Sequence, residues 1–315
     1  MAEPRHGQID LIDPITPETV SSALQTVAGL TVPPGELRLE RRHWRWVARL
    51  PDQVLVFIPD SATAVERLGR EGRLLQLLAS RVSFGVPRVD DTGPSLQVRT
   101  IVPGEQVGGE GRERAFADLP QGMRLADDLG RALGELHGAL TKEQAEEIGL
   151  AYADPLPDAE ALRVRLVGKL SDPLFAAVFT RVLELYRETE PPSADIVVTH
   201  GDVWGGNMAV DLETGALNGL FDFDDAALAD RHVDFMYVHS FGDQFARGAL
   251  AAYARETGQE LSWQRTAVYH AAAAFAALAD MRGKGEDYLL QRELDWVSDV
   301  CRGPIRRMTL SCTGT

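Results

Sequence analysis

Ile196-Val-Val-Thr-His-Gly-Asp202-Val-Trp-Gly-Gly-Asn207-Met-Ala-Val-Asp-Leu212, followed after a short turn by Leu217-Asn-Gly-Leu-Phe-Asp222-Phe-Asp-Asp225, decides how this chain is read. Ile196 to Val198 form an apolar run that delivers His200, Gly201 and Asp202 to a strand end. Met208 to Leu212 and Leu217 to Phe221 alternate as a pair of strands, with Glu213 to Ala216 as the turn and Gly215 free to take positive φ. One hairpin is therefore expected to present Asp202, Asn207 and Asp222 at its mouth, on two rigid strands.

That trio meets the needs of phosphoryl transfer, whose loose transition state leaves positioning and charge neutralisation as the protein's main work. One carboxylate must accept a proton from the attacking hydroxyl. A second carboxylate and an amide oxygen suit Mg²⁺, a hard cation that prefers oxygen ligands. Asp202 and Asn207 reproduce the Asp-x4-Asn spacing of a kinase catalytic loop, and Asp222-Phe223 stands where kinases carry a metal-binding Asp-Phe pair. On these residues the chain resembles the aminoglycoside phosphotransferase and choline-kinase-like family of small-molecule kinases, whose loop reads His-Gly-Asp-x4-Asn. A hairpin with polar ends would be the bland alternative, but it does not ask for three separated elements at these spacings.

Composition bounds the rest. The 315 residues are 44% hydrophobic and 25% charged, ordinary for a globular protein with a substantial core. No apolar run approaches the roughly 20 residues that span a bilayer, and Met1 to Gln8 lack a signal-peptide pattern. Cys301 and Cys312 give no disulfide framework, so a reducing cytoplasm is the expected compartment. Residues 1 to 103 hold 12 Arg and 12 acidic residues, whereas the remainder holds 20 basic and 35 acidic, which accounts for the whole net charge of −15. Such an acidic half argues against nucleic acid and anionic membrane as partners and favours a cationic small molecule, or serves solubility alone.

Along the chain, Thr16 caps a helix that starts at Pro17 and reaches about Gly29, with Val20, Leu24 and Val27 as its buried stripe. Leu37–Leu39, Trp44–Leu50, Val54–Ile58, Val86–Val89 and Leu96–Val102 read as strands, with turns at 51–53 and 90–94. Ala62–Leu78 is a helix with Leu68, Leu74, Leu75 and Leu78 inward. Pro103-Gly104 ends the sheet, and the polar loop Gly104 to Arg114 is expected to be mobile. Helices follow at Met123–Leu140, Thr141–Ile148, Ala159–Leu170, Leu174–Thr189, Arg231–Phe241, Gln244–Thr257, Ser262–Met281 and Glu286–Cys301. His137 is expected to be a satisfied core histidine, and Ala271 to Ala279 to mark close helix packing. The fold class is α+β: residues 1–102 form a small antiparallel sheet plus helix, and 103–315 a larger, mainly helical lobe with the catalytic hairpin. The resemblance makes this a two-lobed protein-kinase-like fold.

The resemblance covers nearly the whole chain and implies a role for each site residue. Asp202 orients and deprotonates the acceptor hydroxyl; Asn207 and Asp222 hold Mg²⁺; ATP or GTP is the co-substrate. Glu71 is the nucleotide-facing carboxylate of the helix at 62–78, and the backbone at Ile101 and Val102 meets the base. His200 and Asp234 secure the loop. Asp224 and Asp225 are candidate contacts for a cationic acceptor, and Trp204 either walls the acceptor pocket or packs beneath it. Aminoglycoside-like antibiotics or amino-sugar metabolites are the implied acceptors, with antibiotic resistance as the implied role, acting as a monomer or homodimer. Glycine after His200, and only eleven residues between Asp222 and Asp234, separate the chain from regulated protein kinases. The first half departs from the family: Phe57 stands where a strand cation should be, no lysine precedes Lys142, and the turn before Arg45 has no glycine for a phosphate approach. Arg45 or Arg49 is the candidate substitute, since a guanidinium grips phosphate well. Without it the chain would be a kinase-fold binding or scaffold protein.

Overall fold

A capping box at Thr16, in which Thr19 N donates to Thr16 Oγ1 at 3.3 Å and Thr16 N to Thr19 Oγ1 at 3.0 Å, starts α1 (Pro17–Ala23). The computed structural model describes residues 11–51, 54–90, 93, 95–109, 111–154, 156–168, 170–189, 193–281 and 287–302. The predicted turn at 51–53 and loop at 90–94 lie partly outside these residues; Met1 to Gln8 and Cys312 lie wholly outside. The chain leaves α1 through a π-helical turn, Leu24–Ala28, closed by Gly29. That wider turn breaks the expected stripe: Val20 and Leu24 are buried, but Val27 is 39% exposed.

Five antiparallel strands follow: β1 (Arg38–Arg42), β2 (Arg45–Leu50), β3 (Val54–Pro59), β4 (Val89–Asp90) and β5 (Gln97–Thr100), in the order β1-β2-β3-β5-β4. Alternation along the strands gives the sheet two unlike faces. Ala48, Leu50, Val56, Ile58 and Val98 pack on Val20 of α1 and Leu24 of the turn that follows it. Arg45, Phe57, Gln97 and Arg99 face the other way, toward α2 (Ala62–Leu78), which lies between β3 and β4 in sequence. The expected strand at 86–89 shortens to β4 because Gly85 is claimed elsewhere. Its N–H donates to Asn218 O at 2.8 Å, and its C=O accepts from Leu220 N at 3.0 Å.

The larger part contains α3 (Arg112–Ala117), α4 (Gly122–Ala139), α5 (Lys142–Glu147), α6 (Ala159–Leu166) and α7 (Pro173–Arg187). Four short strands come next: β6 (Ile196–Thr199), β7 (Met208–Val210), β8 (Leu217–Leu220) and β9 (Ala227–Asp230). The chain then closes with α8 (Asp243–Thr257), α9 (Trp263–Met281) and α10 (Asp287–Arg302). Leu125, Leu129, Leu133 and Leu136 of α4 are buried against Ala246, Ala249 and Tyr253 of α8. Ala271 to Ala274 are likewise buried where α9 meets α7, with the Phe179 and Phe275 rings 4.8 Å apart. None of the helices among the described residues is long and apolar enough to cross a membrane.

The hairpin expected at 208–221 forms as β7 with β8, but the run at 196–199 pairs with a strand the sequence did not announce, β9, in a separate ribbon. β9 reads Ala-Leu-Ala-Asp, without the β-branched residues that signal a strand, so only its partner β6 makes it one. Residues 231–241 do not form an α-helix; they break into 3₁₀ turns at Val233–Phe235 and Tyr237–Phe241, because the Asp234 side chain is drawn inward. The approach of Gly85 to the β7–β8 ribbon leaves no room at Gly219, where a Cβ would lie 1.9 Å from Gly85 O. Gly219→Ala is expected to destabilise the protein by about 1–3 kcal/mol, read as a lower urea midpoint with an unchanged m-value.

Candidate active site

The chain leaves β6 through His200 and Gly201, and Gly201 takes φ +85°. A Cβ there would sit 2.4 Å from Asp225 O, so glycine after His200 is required by the approach of the Asp225 backbone. The buried Asp234 carboxylate accepts from His200 N at 2.9 Å and Gly201 N at 2.8 Å. His137 Nε2 lies 3.0 Å from the same carboxylate and its Nδ1 3.0 Å from Tyr253 Oη, so His137 is the satisfied core histidine the sequence implies. The His200 ring braces two segments at once. Its Nδ1 accepts from Asp202 N (3.3 Å) while its Nε2 donates to Phe221 O (3.0 Å), which assigns the ring proton to Nε2.

These bonds bring the three predicted groups together. Asn207 Nδ2 donates to Asp202 O at 2.8 Å and to Asp202 Oδ2 at 2.9 Å. Asn207 O accepts from Phe221 N at 3.1 Å, so the peptide that leads into Asp222 is clamped between Asn207 and His200. Asp222 adopts a left-handed backbone (φ 66°, ψ 59°), uncommon for a non-glycine residue, and its side chain is 43% exposed. Burial raises the Asp202 pKa above the usual carboxylate range, and the charges of Asp225 and Asp222 add to it against the lowering by His200 and Asn207. Tyr237, which the sequence reading missed, stands within hydrogen-bonding reach of Asp202; burial and that carboxylate push its phenol far up, so it stays protonated. Its signal in the sequence was slight: one tyrosine three residues after Asp234.

The cation absent from β3 is supplied from both sides. Arg45 of β2 places Nη2 2.5 Å from Asp222 Oδ1 and Nη1 3.3 Å from Glu71 Oε2. Burial opposes the charged guanidinium, but Glu71, Asp222 and Asp224 outweigh it and raise the Arg45 pKa. Arg99 of β5, not anticipated, puts Nη1 2.7 Å from Glu71 Oε1. Its trace was legible: polar Gln97 and Arg99 on one face of an otherwise apolar strand. Glu71, expected to face the nucleotide, is instead buried with an arginine at each oxygen. Arg49 does not take part; it is exposed, four residues or about 13 Å farther along β2.

Other expectations fall differently. Asp224 turns to the sheet rather than to an acceptor: Trp44 Nε1 donates to its Oδ2 at 2.9 Å and Arg67 lies 3.6 Å away. Burial raises its pKa, with Arg45 and Trp44 working against that rise. Asp225 remains open, its side chain 57% exposed. The Trp204 ring packs beneath the loop, where it would abut a Cβ on Gly206 or Gly108. The segment after Gly104, expected to be mobile, is pinned to the ribbon by Glu105 and Val210, which exchange two hydrogen bonds of 2.9 Å, and by Val107 N to Gly205 O at 3.0 Å. Ile101 and Val102 line a hollow of about 340 Å³ with Gly85, Val86, Arg88, Thr100 and Pro103. Their backbone groups bond to the backbone of no other described residue. A second acidic group, Asp195, Asp230 and His232, lies at the opposite end of the β6–β9 ribbon and is already answered by Arg265 and Arg231.

Replacing Asp234 with Ala strips two buried backbone N–H groups and His137 of their acceptor. The expected cost is at least about 3 kcal/mol of stability, measurable by denaturant unfolding.

The sequence model of the phosphotransferase enzyme family matches residues 35–275. An aminoglycoside 3'-phosphotransferase from Streptomyces fradiae is 32% identical over 197 residues, a match that spans 59% of this chain and 65% of that protein. Among solved structures, the GDP complex of wild-type aminoglycoside 2'-phosphotransferase-IIIa superposes with a TM-score of 0.72 at 18% identity, over 91% of this chain and 99% of that one. A macrolide 2'-phosphotransferase from Brachybacterium faecium gives a TM-score of 0.60 at 20% identity, over 91% and 98%. At such identities the two structures speak for the kinase-like fold. From the turn that opens the sheet to the middle of α9, this chain belongs to the phosphotransferase enzyme family.

Proposed function

We propose that the protein transfers the γ-phosphate of ATP or GTP to a hydroxyl of a small cationic molecule of the aminoglycoside or amino-sugar type. The observation that carries it is the convergence of Asp202, Asn207 and Asp222 under a guanidinium, Arg45, that touches Asp222 at 2.5 Å. The nucleotide would lie between residues 1–102 and 103–315, with its base at the backbone of Ile101 and Val102, which bonds to no backbone group among the described residues, and its phosphates toward Arg45.

The residues present fit Mg²⁺. Asp222 already attracts a cation, and Asn207 spends its amide nitrogen on Asp202, which leaves the harder Oδ1 as a ligand. Bound there, Mg²⁺ would neutralise phosphate charge as it builds on the leaving group. Asp202 does the proton work. With one oxygen held by Asn207, its other faces the acceptor hydroxyl; the acceptor oxygen bonds to the γ-phosphorus, the bridging P–O bond breaks toward the nucleoside diphosphate, and the proton passes to Asp202. A raised pKa makes Asp202 a stronger base than a surface aspartate. The acceptor's ammonium groups would answer the exposed Asp225 and the acidic surroundings of Tyr237, where Asp202, Asp225 and Glu293 converge. The scaffold alternative rested on the missing strand cation and on the glycine-free turn; Arg45 and Arg99 remove the first of these motives.

Purified protein with ATP or GTP, Mg²⁺ and a panel of aminoglycosides is expected to form phosphorylated antibiotic and nucleoside diphosphate, and chelation should stop both. Absence of product across the panel, together with no acceptor-stimulated nucleotide consumption, refutes the proposal. Asp202→Ala should lower kcat about a hundred- to ten-thousand-fold while keeping the fold. Because the base form of Asp202 is the charged one, the rate falls as pH drops through its raised pKa. Asp225→Asn removes one of the charges that raise it, so the acid limb of the kcat–pH profile should move to lower pH.

A further inference from the structure

The two arginines that flank Phe57 are not equivalent. Phe57 pairs in register with Val47 of β2 and Gln97 of β5, and both guanidiniums lean over its ring, Arg99 at 4.4 Å and Arg45 at 4.9 Å from the centroid. Arg99 is fully committed. Its Nη1 meets Glu71 Oε1 at 2.7 Å, while Nε and Nη2 donate to Gln97 Oε1 at 3.3 and 2.9 Å, and Gln97 is itself anchored by Nε2 to Leu68 O at 3.2 Å. Both side chains are buried, Arg99 at 3% and Arg45 at 9% exposed, but only Arg99 has its donors taken by Glu71 and Gln97 on the α2 side. Arg45 has its shorter contact with Asp222, whose side chain is 43% exposed, and its longer one with Glu71.

We propose that the two tasks expected of one strand cation are divided in this chain: Arg99 neutralises Glu71, and Arg45 is thereby released to serve the nucleotide phosphates beside Asp222. The inference rests on the nucleotide reading above and adds Arg99 to it as a positioning residue. Electrostatics supplies the reason. An unpaired buried carboxylate would draw in the nearest guanidinium, and Arg45 is already in contact with it. With Arg99 in place, Glu71 carries no net demand and the charge of Arg45 is available toward the cleft.

The test is the affinity for ATP or GTP with Mg²⁺, measured by thermal-shift titration or calorimetry without acceptor. Arg99→Met should raise the nucleotide Kd by about tenfold, because Glu71 captures Arg45. Arg99→Met combined with Glu71→Gln should bring it back to within about threefold of the parent, since a neutral amide no longer holds Arg45. Arg99→Lys keeps a cation on Glu71 and should also bind within that range. Arg45→Met should bind poorly with either residue at position 71. An Arg99→Met protein with unchanged affinity, or a double variant as weak as Arg45→Met, overturns the division of roles. If Arg99→Met does not fold, the double variant still decides, because it removes both members of the buried pair. A parent protein that shows no nucleotide binding ends the nucleotide reading itself, whereas parent binding with the wrong variant pattern ends only this inference.

Discussion

A single buried carboxylate, Asp234, carries the geometry of the site. Sinking a charge into a protein core is costly unless hydrogen bonds replace the water it leaves. Asp234 obtains two from the backbone of His200 and Gly201 and a third contact from His137 of α4. Those bonds dictate how the chain turns after β6, and the turn dictates where Asp202 stands. They also explain two local departures from propensity. Residues 231–241 give up an α-helix so that Asp234 can point inward, and Ala227–Asp230 become a strand because β6 must be paired where Asp234 approaches.

The sheet-bearing part joins the helical part through the shared core of Leu74, Leu75 and Leu78, through the Gly85 backbone, and through charge placed across the cleft. Arg45 touches Glu71 on one side and Asp222 on the other, and Trp44 and Arg67 grip Asp224 just beyond. The β1–β2 turn that carries Trp44 is a two-residue turn with His43 at positive φ (48°). In place of a glycine-rich approach to phosphate, the chain offers an indole and a guanidinium. The apolar Phe57 ring serves as the platform over which both arginines lie.

The acidic excess of the larger part is not spread evenly in its consequences. Near Asp230 and Asp195 it is neutralised by Arg231 and Arg265, and those groups are structural. Around Asp202 it is left standing, with Asp222 and Asp225 close enough to raise the Asp202 pKa. Surplus negative charge around Asp202 and beside an exposed Asp225 makes this part of the cleft attractive to cations, and it strengthens Asp202 as a base at the same time.

From the sequence alone came most of the order of elements, the inward face of α2, the β7–β8 hairpin and the grouping of Asp202, Asn207 and Asp222, along with His200, Asp234 and Glu71 as candidates. Those are legible because they depend on local periodicity and on short spacings within one segment. What the tertiary structure decided involves residues far apart in the chain. It chose Arg45 over Arg49: both lie on one face of β2, but only Arg45 stands at the end of the strand beside Glu71 and Asp222, and Arg49 is left in solvent. It brought in Arg99, 28 residues after Glu71, because β5 lies beside β3. It turned Asp224 toward Trp44, 180 residues away, although its neighbour Asp225 stays open. Sequence spacing specifies which groups share a loop; only the packing of sheet against helices fixes which charges meet across the cleft, because Coulomb forces and hydrogen bonds act over distance in space and not along the chain.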